Sequence, residues 1–469
     1  MADPHKKSTV VIVGAGFAGF NAARELSRLV GATTEIVVIN STDYFLYLPL
    51  MPQVTGGLVE PAHIRVSLLS RLGKTRFVLG TVNHVDTRQK AVSWEGPEGA
   101  AGQVGYDRLI LTAGSVNKLL PIPGIADYAH GFRSIAEATY LRDHIIRQLE
   151  LASVAADPAE RAARCTFVVV GAGYTGTEVT AHGQLLTTRL ARAQPGLAGQ
   201  QIRWMLLDLA PRVLAELDQR LSATAERVLR RRGVEVRTGE SVAEAGDGYV
   251  KLTTGDKGVT RSLIWCVGVR ADPLVDGLDL GTNRGRLDVD PYLQVPGAQD
   301  IWACGDCAAV PDLTRPGQVC GMTAQHAQRQ GKLTGRNVAA SLGHGTRKEY
   351  KHRDLGFLVD LGGPSWRREP AAHPAVRVGR QRCHPGLSPV RHVGEPAAGA
   401  DRLDPERDHL PGIDIPRGNQ RTVRPARREP TASLNGSWNG SQDNPSAVSA
   451  VSATIHAIGT ASGHGYTGL

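Results

Sequence analysis

The sequence predicts an α/β protein built around two copies of one strand–turn–helix unit. Two observations carry this reading. A run of five β-branched residues, Thr9-Val10-Val11-Ile12-Val13, leads into Gly14, Gly16 and Gly19 at G-x-G-x-x-G spacing. The same order recurs where Cys165-Thr166-Phe167-Val168-Val169-Val170 leads into Gly171, Gly173 and Gly176. One such turn is weak on its own, because a glycine turn can serve the backbone alone; repetition of the whole unit makes chance a poor account.

In the first unit the β-branched run reads as a strand buried on both faces, and an apolar-periodic helix is expected over 20–29. Gly14 permits the tight turn, Gly16 lets backbone approach a pyrophosphate, and Gly19 lets helix and strand pack closely. The helix start offers free N–H groups and a positive dipole end to phosphate. A second buried strand, 34–40, ends in Asn40 where an acidic residue usually holds a ribose hydroxyl. Asn can make that bond too. The apolar turn 44–53 is either a core-packing loop or a wall beside a flat ring. Residues 77–94 alternate like strands of a small sheet, with a glycine-rich hairpin over 96–105. Another buried strand then ends in the small residues Ala113 and Gly114, which let backbone come close to a cofactor.

Pro121-Ile122-Pro123-Gly124 reads as a crossing between domains, and a helix is expected over 136–155. The second unit's own second strand, 203–208, ends in a carboxylate, Asp208. A carboxylate there accepts from both ribose hydroxyls and repels a 2′-phosphate, so NADH is expected over NADPH, moderated by Arg212 nearby. A basic helix over 220–232 follows, then strands, a Gly305-Asp306 turn and a helix over 323–342.

Composition excludes several classes. Net charge is +9, yet basic residues are spread along the chain without interleaved aromatics, which argues against nucleic acid. Six scattered cysteines do not make a disulfide framework. No signal peptide and no apolar run near ~20 residues are read, so the expectation is a cytoplasmic or peripheral protein. No metal site is read from the sequence. Cys304-Gly305-Asp306-Cys307 has dithiol spacing, but small residues are wanted beside that turn and the redox reading is disfavoured.

Five segments in order resemble the two-dinucleotide-domain flavoprotein reductases, and within them the type II NADH dehydrogenases (NADH:quinone oxidoreductases). They are the two glycine turns (the second continuing to Glu178), the strand ending at Ala113-Gly114, Trp265 to Gly268, and Gly305-Asp306, and together they cover roughly residues 8–362. The resemblance implies two Rossmann-like domains, with FAD on the first turn, NADH on the second, and Asp306 on the flavin's ribityl or pyrophosphate region. Ala324-Gln325-His326-Ala327-Gln328-Arg329-Gln330-Gly331 is similar to the family's quinone-side element. Its first glutamine is Gln325, and its second corresponds to Gln328 or Gln330. Amides of this kind can donate to a quinone carbonyl without charging an apolar pocket. Glu178 resembles the carboxylate placed near nicotinamide and flavin, and Glu178, Gln325 and Gln328 are the residues expected to act in catalysis.

The implied domain plan is an FAD domain over 8–118, an NAD(H) domain over 119–269 and a return to the FAD domain over 270–340. Residues 341–363 would begin a truncated C-terminal region. Residues 364–430 are rich in Arg, Pro, Ala and His without lysine or phenylalanine, and a Gly/Ser-rich stretch follows. That tail, 364–469, is expected to be disordered and outside the family pattern, as after a change of reading frame near Gly363. The resemblance places the protein on the inner face of the cell membrane as a peripheral enzyme acting on quinone, with that attachment weakened by the altered tail and a homodimer allowed. The competing expectations are a soluble NADH reductase serving a ferredoxin- or rubredoxin-type protein, and an inactive flavin- or NAD-binding remnant.

Overall fold

The computed structural model describes residues 7–352 and 358–362, and the backbone of Ala375–Arg377. All of them fall within the unit Met1–Gly386. In chain order the elements that matter are β1 (Ser8–Val13), α1 (Phe17–Leu29), β2 (Thr34–Asn40), α2 (Met51–Thr55) and β3 (Arg76–Leu79). A meander follows, of β4 (Thr81–Asp86), β5 (Ala91–Glu95) and β6 (Ala101–Gly105), then β7 (Arg108–Leu111), β8 (Ser115–Asn117) and β9 (Ala129–His130). The second unit holds α3 (Ile135–Val154), β10 (Thr166–Val170), α4 (Tyr174–Ala193), β11 (Arg203–Asp208), α5 (Gln219–Arg231), β12 (Val234–Thr238) and β13 (Ser262–Trp265). After it come β14 (Val269–Ala271), β15 (Ile301–Ala303), α6 (Ala324–Ser341) and β16 (Leu358–Asp360).

Two five-stranded parallel sheets organise these elements. The first runs β15-β7-β1-β2-β3 and the second β9-β13-β10-β11-β12. Their central strands are buried on both faces: Val10, Val11 and Ile12 in one, and every residue of β10 in the other. Such continuous apolar runs belong to parallel strands covered by helices on both sides. The registers match as well, with Val13 beside Ile39 and Val170 beside Leu207. The first sheet takes its last strand from residues 301–303, after the second sheet is complete.

Several local expectations are refined. α1 begins at Phe17, three residues before the expected start, because the helix opens inside the glycine turn with Gly16 as its cap. α3 is held by a capping box, in which Glu137 N–H donates to Ser134 and Glu137 accepts from Ser134 N–H. Residues 76–79 are not part of the small sheet; β3 is the edge of the large parallel one, and only β4, β5 and β6 form the meander. The turn 44–53 carries a short strand, Tyr44–Leu46, and its end lies in α2.

α6 lies against α1, and a Cβ at Gly331 would sit 2.0 Å from Ala18 O, so only glycine lets the two helices approach this closely. No helix among the described residues is long and apolar enough to cross a membrane. Within the stretch expected to lack order, the backbone of Ala375–Arg377 pairs antiparallel with β16. The rest of that stretch, including the proposed frame change at Gly363, lies outside the described residues.

Candidate active site

Each glycine turn is closed at its ends and open in the middle. Gly14 N–H donates to Ile39 O at 2.8 Å, and its φ of +87° turns the chain out of β1. A Cβ there would stand 2.4 Å from Thr112 O, and one at Gly19 would stand 1.9 Å from Gly14 O. Around Gly16 a Cβ would meet nothing within 4 Å. The second turn repeats this. Gly171 N–H donates to Leu207 O at 2.8 Å, a Cβ at Gly176 would stand 1.8 Å from Gly171 O, and Gly173 again faces open space. Neither α1 nor α4 has a side-chain cap, so first-turn N–H groups and the positive helix end face that space. A pyrophosphate fits such a cradle.

The strand ends close the two loops by the same device. Asn40 Oδ1 accepts from Ala15 N–H at 2.8 Å, while its Nδ2 donates to Thr42 O and Oγ1 at 2.8 and 3.1 Å. Asp208 Oδ2 accepts from Ala172 N–H at 2.5 Å and its Oδ1 from Ala210 N–H at 2.7 Å. Asn40 has both amide hydrogens engaged; Asp208 keeps a carboxylate charge facing its loop. Arg212 turns to the carbonyls of Ala215 and Leu217. Beside Asn40 lies a cleft of ≈ 310 Å³ lined by Ser41, Gly80, Thr81, Glu95, Gly96 and Pro97.

The late Gly-Asp turn meets the first sheet's strand ends. Ser115 Oγ donates to Asp306 Oδ2 at 2.5 Å, and Arg133 Nη2 lies 3.4 Å from the same oxygen while also donating to Ser115. Arg133 comes from the loop before α3, where its N–H donates to Glu137 at 2.7 Å. Gly114 has a φ of +80° and open space at its Cβ position. From the other side Gln330, 1 % exposed, accepts from Gly305 N–H at 2.9 Å.

Glu178 stands on the first turns of α4, and its Oε1 accepts from Asp360 N–H at 2.7 Å. Burial pushes its carboxyl up to about 8, with the Asp360 N–H bond opposing and the Asp360 charge adding to the rise. Gln325 and Gln328 are half-buried on α6, and the next residue after Gln325, His326, bonds Tyr350 Oη through Nδ1 at 2.9 Å. Cys304 and Cys307 are fully buried, and burial pushes their thiols up to about 12 and about 11. Burial thus disfavours the thiolate, the form through which a redox dithiol reacts. Among the described residues no group of three or more His, Cys, Asp or Glu could hold a metal ion.

Residues 8–331 match the pyridine nucleotide-disulphide oxidoreductase family. The chain belongs to that family. Its relatives narrow the branch. The type II NADH:quinone oxidoreductase Ndh of Mycobacterium tuberculosis is 33% identical over 378 residues, covering 77% of this chain and 79% of that protein. An external alternative NAD(P)H-ubiquinone oxidoreductase B2 of Arabidopsis thaliana mitochondria is 28% identical, over 65% of this chain and 55% of that one. In fold the chain is similar to NDH2 from Plasmodium falciparum in complex with NADH, with a TM-score of 0.70 and 18% identity over 76% of this chain and 89% of that one.

Within this reductase fold, the residues singled out from sequence fall into distinct places. Gly14, Gly16, Gly19 and Asn40 gather at one cradle, Gly171, Gly173, Gly176 and Asp208 at the other. Ala113, Gly114, Gly305 and Asp306 lie at the C-terminal ends of β7 and β15 in the first sheet. Sequence reasoning missed Ser115 and Arg133 around Asp306, and Gln53, His182 and Asp360 around Glu178. Gln330 was in view as one of two alternatives; its contact with Gly305 gives it the turn-holding task. The Asp360 contact carried a faint signal, one carboxylate inside the apolar run 355–363.

Proposed function

We propose that this chain is an FAD-dependent NADH:quinone oxidoreductase of the non-proton-pumping, type II kind. The observation that carries the reading is the pair of open glycine cradles in a chain whose relatives are named for that reaction. FAD belongs to the first cradle and supplies a two-electron carrier between NADH and quinone. The domain plan follows: residues 8–118 and 270–340 hold FAD, and 119–269 hold NADH.

The first-turn N–H groups of α1 take the FAD pyrophosphate, with Asn40 fixing the loop through Ala15 N–H. Asp306, oriented by Ser115 and Arg133, accepts from FAD hydroxyls near the ribityl chain. In the second unit Gly173 leaves room for the NADH pyrophosphate, and Asp208 takes the adenosine ribose. Asp208's charge disfavours a 2′-phosphate there. Glu178, buried and holding its proton near neutral pH, delivers a proton as quinone is reduced. Gln325 and Gln328 donate to the quinone carbonyls.

The protein acts peripherally on the inner face of the cell membrane, and dimerisation is compatible with this reading. Purified protein should be yellow with FAD, and NADH oxidation should be driven by menadione or a ubiquinone analogue as well as by ferricyanide. Flavin reduced by NADH but reoxidised by no quinone overturns the proposal. Co-sedimentation with anionic vesicles tests the membrane attachment.

A further inference from the structure

The polar contacts around Glu178 do not come from its own helix alone. They converge on one residue, Asp360, 182 positions away in β16. Its N–H fixes one oxygen of Glu178. Its carboxylate is itself held: Gln53 of α2 donates to Oδ2 at 2.7 Å, Gly362 N–H donates to Oδ1 at 2.8 Å, and His182 Nε2 lies 3.4 Å from Oδ2. His182 sits one helical turn beyond Glu178 on the same face of α4 and is 1 % exposed. It is boxed in by Gly56 and Gly362, where added Cβ atoms would come within 2.9 Å and 3.4 Å of it. Among the described residues neither ring nitrogen has a hydrogen-bond partner, and the Asp360 carboxylate 3.4 Å from Nε2 faces this buried ring. Arg232, just past α5, pins the strand by donating to Leu361 O and, at 2.6 Å, to Gly362 O.

We propose that Asp360 is a positioning residue for Glu178: its amide orients the carboxyl, and its own carboxylate, clamped by Gln53 and His182, fixes the charge beside it. This rests on the reading of Glu178 as the proton carrier in quinone reduction. The groups that face this pair are His182 from α4, Gln53 from α2, Arg232 from the end of α5 and Asp360 from β16. The polar groups around it, His182 first and then Gly362 N–H and Gln53, hold Asp360's carboxyl well below the usual carboxylate range. A fixed negative charge favours the protonated form of a neighbouring acid. Its removal releases Glu178's proton at lower pH.

The test uses full-length, FAD-loaded protein and menadione, with wild type, Asp360→Asn and Glu178→Gln compared over a pH series around about 8. Quinone reduction in wild type should fall as pH rises through that value, since the donor must hold its proton. In Asp360→Asn, which keeps the backbone N–H, the falling limb should move to lower pH by about one unit. The infrared carboxyl band that Glu178→Gln removes should shift with it, a readout that needs no turnover. Asp360→Ser repeats the experiment if the Asn variant does not retain flavin. A limb and a band that stay at the wild-type pH in a flavin-loaded variant overturn the proposal, even if the variant melts earlier, because packing alone would do that. A limb that persists in Glu178→Gln overturns the proton-carrier reading instead.

Discussion

Alanine at the middle glycine of each cradle separates what the fold needs from what the ligands need. Gly16 has φ −68° and ψ −161°, and Gly173 has φ −74° and ψ −167°, both ordinary for a residue with a side chain. Neither Cβ would meet protein within 4 Å. Gly16→Ala and Gly173→Ala should therefore fold at least as stably as wild type, with up to ~0.4–1 kcal/mol gained from the unfolded chain. Gly19→Ala is the contrast. Its Cβ would be driven to 1.9 Å from Gly14 O, and forced overpacking of this kind costs ~1–3 kcal/mol or more.

The methyl groups at Gly16 and Gly173 instead enter the space assigned to pyrophosphate. Displacing one charge-assisted N–H bond to phosphate loses ~1.5–3 kcal/mol, roughly 10- to 100-fold in Kd. Because FAD and NADH are assigned to different cradles, the two variants should fail differently. Gly16→Ala should be purified largely colourless and regain activity with added FAD. Gly173→Ala should stay yellow and show a raised KM for NADH. Thermal unfolding of the apoproteins, flavin absorbance and NADH–ferricyanide kinetics read the three quantities. Loss of flavin in Gly173→Ala with retention in Gly16→Ala would refute the assignment, and Gly16→Ala melting as early as Gly19→Ala would refute the claim that its space belongs to a ligand.

Asp208→Asn should lower the preference for NADH over NADPH by about tenfold, read as the ratio of kcat/KM values, because the charge that repels a 2′-phosphate is gone. Gln330→Leu leaves the buried Gly305 N–H without its acceptor. It should lose ~1–3 kcal/mol in thermal or urea unfolding and weaken FAD retention together. Replacing both Cys304 and Cys307 by Ala should leave NADH–quinone turnover within about twofold, since burial disfavours the thiolate that a dithiol step needs. Glu178 should make the protein less stable as pH rises from its ordinary 4.5 towards about 8. Over that window the native state binds more protons than the unfolded chain, so stability must fall, and Glu178→Gln should flatten the slope in urea unfolding across pH.

What could be read in the chain before its structure was whatever depends on near neighbours. The β-branched runs and glycine spacing act through bonds within one unit, and both sheets follow from them. The two strand ends, Asn40 and Asp208, lie close enough to their loops for spacing to point at them. The helix face was legible in principle: Ala327, Gly331 and Gly335 repeat at intervals of four, which marks the side of α6 that packs on α1. That stripe does not separate the two glutamines, since Gln328 stands nearer to it than Gln330 at 3.6 residues per turn; only the contact with Gly305 gives Gln330 its place. The Arg133–Ser115–Asp306 and Asp360–Glu178 contacts could not be found this way. They join residues up to 191 positions apart, and no local period records such a pairing.

The two cradles also show why a missing acid need not mean a missing site. At both strand ends the first task is the same, accepting the N–H that follows the first glycine, and amide or carboxylate oxygen does it equally well. The difference lies in what remains. Asn40 spends its two amide hydrogens on Thr42 and adds no net charge. Asp208 accepts twice from backbone and brings a carboxylate to its loop. On the proposed assignment, the neutral end belongs to the FAD cradle, where Asp306 supplies a carboxylate from a second turn. On the same assignment, the charged end belongs to the NADH cradle, since a carboxylate there disfavours a 2′-phosphate.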